Sequence, residues 1–86
     1  MMLHNAKTDK PTKDGDYICL TICKWTDHKG NVHKFVSART ERYNAEMDGW
    51  NVSQFSGKEY EIFPDAWMDQ PTVEDVEKVL KGERNV

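Results

Sequence analysis

Cysteine, proline and long apolar runs are all scarce in this chain of 86 residues, which holds two Cys, three Pro and 37% apolar residues. Each shortage excludes something. No apolar run approaches the roughly 20 residues that cross a bilayer. The opening stretch MMLHNAKTDKPTKDG has no apolar segment of the kind a secretory signal carries. The expectation is a cytoplasmic protein with no membrane contact. Two cysteines without an export signal exclude a disulfide framework and read as buried free thiols, acting as small hydrophobes. A glycine-rich phosphate loop and a His-Glu helix pair are both missing. Neither cysteine has a base and an orienting partner placed beside it in sequence. Glu59 and Glu61 share a strand face, where two exposed carboxylates serve solubility. No catalytic residue, no cofactor and no enzyme activity are expected.

A mean hydropathy of -0.85 leaves a thin core for one small domain, near the lower end of chains that stabilise themselves by burial alone. Three Trp, three Tyr and three Phe compensate in part, because each aromatic buries more area than an aliphatic side chain. The net charge of -3 is unevenly divided. Residues 1–58 carry nine Lys/Arg against seven Asp/Glu, and residues 59–86 carry three against eight. A net acidic chain lacks the basic footprint of a nucleic-acid binder, although opposed halves can steer partners at long range.

Four residues invite a metal reading. Cys19, Cys23, His28 and His33 fall in the pattern C-x3-C-x4-H-x4-H, one residue from a zinc knuckle. A structural zinc site needs four ligand atoms about 2.0–2.3 Å from one ion, and a knuckle achieves this by curling its cysteines around a tight turn. Here Thr21 and Ile22 lie between them in a β-favouring run without glycine. Extended, the two cysteines point the same way but stand about 13 Å apart, at ~3.3 Å per residue. No metal is expected.

The run Asp16 to Trp25, rich in Tyr, Ile, Thr, Cys and Trp, predicts a first strand, and Val32 to Tyr43 predicts a second. Between them TDHKGN reads as a type I turn with Gly30 in the left-handed bulge position. Pairing Asp27 with Asn31 fixes a register in which facing residue numbers sum to 58. One face then gathers Ile18, Leu20, Ile22, Val36, Ala38 and Thr40. The other carries Tyr17, Cys19, Thr21, Cys23 and Trp25 opposite Glu41, Arg39, Ser37, Phe35 and His33. Asp48-Gly49 predicts a second turn into a third strand at Trp50 and Val52, and Glu59–Phe63 a short fourth strand stopped by Pro64. Thr72 with Asp75 in capping-box position starts a helix over 72–81, and Gly82 ends it. Its stripe of Val73, Val76, Val79 and Leu80 is expected on the Ile18, Leu20, Ile22, Val36 face.

These elements predict an α+β fold: a small antiparallel β-sheet of three to four strands in a meander, with one C-terminal α-helix packed on one face. Residues 1–13 are expected to be a loose lead-in, 15–67 the meander. The expected core anchors are Ile18, Leu20, Ile22, Val36, Ala38, Trp50, Trp67, Val73, Val76 and Leu80.

The strings PTKDGDYIC, RYN, DGW and AWMDQP together resemble the domain-of-unknown-function 551 type of small phage and prophage proteins. The matching positions are Pro11, Gly15, Tyr17, Tyr43, Gly49, Trp50, Trp67, Met68 and Pro71, spanning about residues 11–71. The chain departs from that pattern at Ala66, where the family usually has His, and by its helix after Pro71. The resemblance implies a mobile-element origin and a small antiparallel sheet, and implies no activity. The functional expectation is a non-catalytic module that docks on a host protein, with inhibition of a host-defence system as one specific role. Its surface would be the outer sheet face: Tyr17, Trp25, His33, Phe35, Arg39 and Tyr43. Single-stranded nucleic acid stacked on that face is one alternative, less favoured by the charge, and a homodimeric structural protein is another.

Overall fold

The long hairpin at the centre of the computed structural model, which describes residues 2–84, follows from its turn. β2 (Gly15–Thr26) and β3 (Val32–Asn44) pair antiparallel along their whole length, from Gly15 against Tyr43 to Thr26 against Val32. This is the expected register, with Ile18 opposite Thr40 and Ile22 opposite Val36. Asp27 closes the turn. Its backbone N–H donates to Asn31 at 3.0 Å, its carbonyl accepts from Gly30 at 3.0 Å, and Gly30 takes φ +87°. Only a residue without Cβ adopts that angle at no cost.

Three short strands, β1 (His4–Asn5), β4 (Gly49–Trp50) and β5 (Ala66–Asp69), complete a five-stranded sheet in the order β1-β5-β2-β3-β4. β4 (Gly49–Trp50) follows the expected Asp48-Gly49 turn, in which Asp48 takes a left-handed φ of 52°. β5 (Ala66–Asp69) returns to the opposite edge of β2, placing Trp67 beside Cys19. β1 (His4–Asn5) pairs outside β5, with His4 against Trp67. The meander therefore covers only β2-β3-β4. The expected fourth strand over 59–63 does not form; Ile62 makes an isolated bridge to Trp50, Glu59 and Tyr60 lie in a turn, and Glu61 and Phe63 are irregular. The lead-in is also ordered more than its composition implied. Ala6 and Pro11 are buried, and the Asp9 carbonyl accepts the Trp67 indole N–H at 2.6 Å. A polar segment can be tied down by backbone groups alone, which composition does not reveal.

The core occupies the face that the sequence pattern assigned to the outside. Cys19, Tyr43, Trp50, Trp67 and Ala6 are buried together, with Tyr17, Ala45 and Ile62 against them. Tyr17 meets Trp67 edge-on at 5.0 Å between centroids, and Tyr43 meets Trp50 at 4.9 Å. Trp50 and Trp67, two of the expected anchors, are buried. Of the other expected anchors, Ile18 and Leu20 are half-buried, while Ile22, Val36 and Ala38 are exposed. The reason is parity. Trp67 faces Cys19 and Trp50 faces Tyr43, so both indoles project on the odd-numbered side. Two Trp and two Tyr there bury more apolar area than the smaller side chains of the even face.

The helix α1 (Val73–Arg84) starts as expected: Asp75 N–H donates to Thr72 Oγ1 at 3.1 Å, and Thr72 N–H to Asp75 Oδ2 at 3.0 Å. It runs through Gly82, the expected stop, to Arg84. The expected packing of Val73, Val76 and Leu80 on the sheet is absent. All three are exposed, Val73 at 77%, and among the described residues no Cα of α1 lies within 8 Å of a strand. The helix leaves β5 through Gln70, Pro71 and Thr72, and its Val76 and Val79 border an open cavity with Met2 and Met68. The Cα radius of gyration is 16.7 Å, against about 12 Å for a compact domain of this length.

Candidate functional site

Beyond the core, the outer half of the β2–β3 hairpin is a two-stranded ribbon. β5 pairs with β2 only from Tyr17 to Leu20, and β4 with β3 only at Tyr43 and Asn44. On the ribbon's odd face Trp25 lies opposite His33, and Cys23 opposite Phe35. Trp25 is 53% and Phe35 50% exposed, large values for aromatics held in a continuous ladder. The Trp25 indole stacks on His33 at 4.4 Å between centroids, tilted by 20°. His33 is fixed in turn by Asp27, whose Oδ2 lies 2.9 Å from Nε2.

Asp27 thus has three tasks. Its Oδ1 accepts the backbone N–H groups of Lys29 and Asn31, each at 2.9 Å, while Oδ2 holds His33. The His33 contact and the Asn31 N–H keep its carboxyl below the ordinary aspartate range. The turn and the aromatic stack are one hydrogen-bonded unit.

From this tip a groove runs back toward the core. Thr21, Cys23, Ser37, Arg39 and Glu41 of the hairpin line it together with Phe63 and Pro64 of the loop before β5. Arg39 is exposed and lies 3.7 Å from Glu41. Cys19 closes the inner end. Burial, then the Glu41 charge, pushes its thiol up to about 12, so it stands protonated and unreactive at neutral pH. Among the described residues no group of three or more His, Cys, Asp and Glu comes together as a metal site, and no helix is long and apolar enough to span a membrane.

Of the six residues expected on this face, Trp25, His33, Phe35 and Arg39 stand on the open surface. Tyr17 and Tyr43 do not: β5, β4 and the loop after β4 cover that end of the face. Tyr43 is buried and donates to Asp48 Oδ1, and burial with that contact raises its hydroxyl to about 12. Tyr17 packs on both buried indoles and donates to the Lys13 carbonyl at 2.9 Å. Phe63 was missed, because its loop brings it over the groove and no periodicity announces a loop. Comparison with protein-family models, curated proteins and solved structures finds no match to this chain.

Proposed function

We propose that the chain is a non-catalytic protein-docking module whose contact element is the distal β2–β3 ribbon. The observation that carries this is the pair Trp25 and Phe35, each half exposed on a rigid, turn-locked ladder. Exposed aromatics on a preorganised frame are the usual anchors of protein interfaces, since little conformational entropy remains to be lost. The groove behind them, with apolar Phe63 on one wall and Arg39 on the other, suits a peptide segment with an apolar anchor and an acidic neighbour. Together with the resemblance over residues 11–71, this supports an accessory protein of a phage or similar element that docks on a host protein. Inhibition of a host-defence system is the specific role in view.

Base stacking is favoured less. Strand alternation puts Lys24 and Lys34 on the opposite face from Trp25, so the aromatic face has few cations to follow a phosphate backbone. One Trp25 ring face is already occupied by His33.

The test is affinity capture from host lysate with wild type and a Trp25→Ala/Phe35→Ala double variant. A partner held by wild type and lost by the variant, with circular dichroism unchanged, supports docking. Capture indifferent to both aromatics overturns it. Salt-sensitive quenching of Trp25 by single-stranded oligonucleotides would favour stacking instead.

A further inference from the structure

A second apolar surface lies exposed among the described residues. It comprises the even face of the hairpin, where Ile22, Val32 and Val36 are exposed, and the stripe Val73, Val76, Val79 and Leu80 of α1. A 12-residue helix with three valines and an internal glycine is marginal in water without tertiary packing. Total accessible area is 6996 Å². A compact monomer of 10.0 kDa has about 5,200 Å², leaving an excess of roughly 1,800 Å². A standard stable interface removes about 800 Å² from each partner. The chain thus exposes more than one such interface needs.

Charge indicates what fits. Lys24 and Lys34 face each other at the rim of the even face, a like-charge cross-strand pair that is unfavourable alone. The α1 stripe is bordered by Glu77, one turn after Val73 and three residues before Leu80, and by Asp75, one turn before Val79. The helix brings an apolar stripe and a carboxylate for the Lys24–Lys34 end of this face, whose own carboxylate, Asp16, lies at the far end beside Arg42.

We infer that the chain forms a two-fold dimer in which α1 of each copy lies on the even face of the other, Glu77 meeting Lys24 and Lys34. Exchange of one terminal element through a short connector is a low-cost route to a closed dimer, and a two-fold axis makes each contact occur twice. The connector is Gln70-Pro71-Thr72. The odd face with Trp25 and Phe35 stays open, so dimerisation and partner docking are independent.

Sedimentation equilibrium of the full chain tests this, with a doubled mass of about 20 kDa expected from the 10.0 kDa chain. Val76→Glu/Leu80→Glu weakens association about 100-fold or more, since symmetry counts each change twice. Lys34→Glu weakens it about 5–10-fold, and adding Glu77→Lys restores it to within about threefold. That rescue answers any concern that the apolar variants misfold. Trp25→Ala/Phe35→Ala leaves the mass doubled. A wild-type monomer across the micromolar range overturns the inference, including the case where α1 folds back on its own sheet. So does a dimer that survives the helix variant, that is not rescued by the charge exchange, or that is lost with Trp25 and Phe35.

Discussion

Two buried tryptophans of equal standing should respond differently to the same substitution. Trp50 and Trp67 are 4% and 6% exposed and lie in one aromatic cluster, 6.4 Å apart between centroids. Replacing either indole with phenyl removes the same atoms and costs ~1–1.5 kcal/mol of packing. Their N–H groups separate them. Trp67 Nε1 donates to the Asp9 carbonyl at 2.6 Å, which ties the N-terminal segment to the sheet. Losing that bond adds ~1–1.5 kcal/mol. Trp50 Nε1 is buried with no acceptor among the described residues. An unsatisfied buried donor costs ~1–3 kcal/mol, and phenyl removes it. Trp67→Phe should therefore lose about 2–3 kcal/mol, and Trp50→Phe should lie within about 1 kcal/mol of wild type. At roughly 4–8 °C per kcal/mol, Tm falls by about 10–20 °C in the first case and by no more than about 8 °C in the second. Urea melts at fixed protein concentration, with unchanged m, measure both. Equal losses would refute the assignment of the two N–H groups.

Gly49 is buried, and a Cβ there would stand 2.7 Å from Glu61 Oε2 and 3.1 Å from the buried Val52 side chain. The Glu61 head can swing away but Val52 cannot, so Gly49→Ala costs about 1–3 kcal/mol in a thermal melt. Asp27 and Asp48 both have carboxyls lowered from 3.8, the first chiefly by His33 and the second chiefly by the Tyr43 hydroxyl. A lowered carboxyl stabilises the fold above its unfolded value and ceases to do so as pH falls through its folded value. Acid unfolding below pH 3.8 should therefore begin at higher pH, and be less steep, in Asp27→Asn than in wild type. Tyr43, raised to about 12 from 10.0, has the opposite sign: its contribution is complete below pH 10 and lost as pH rises toward 12. Absorbance titration should show one tyrosine ionising near pH 12, and lower in Asp48→Asn. Cys19, buried and raised to about 12, should resist a thiol reagent at pH 8 until denaturant is added, whereas half-buried Cys23 should react in the native protein.

What was legible in the sequence was whatever local chemistry decides. The Asp27–Gly30 turn set the whole hairpin register, and Thr72 with Asp75 set the start of α1, because each is a short-range hydrogen-bonding arrangement. Which face of the hairpin holds the core was not legible. Both faces carry apolar residues, and the choice rests on where Trp50 and Trp67 land after β4 and β5 pair at opposite edges. β5 is four residues long and pairs with a strand nearly 50 positions away, so no local pattern marks it. The same placement decided the candidate surface. Trp25, His33, Phe35 and Arg39 remained open because no later strand reaches the hairpin tip, and Tyr17 and Tyr43 were covered because two strands reach its base. The helix stripe was read correctly as a stripe, but periodicity states only that a face is apolar, not what covers it.

The odd face of the hairpin is core at its base and open at its tip. Labelling all three indoles with 5-fluorotryptophan tests it directly by fluorine NMR in H2O and in D2O. One resonance, assigned to Trp25 by Trp25→Phe, should shift with solvent, while those of Trp50 and Trp67 should not. A solvent-insensitive Trp25, or a solvent-sensitive Trp67, would contradict the account.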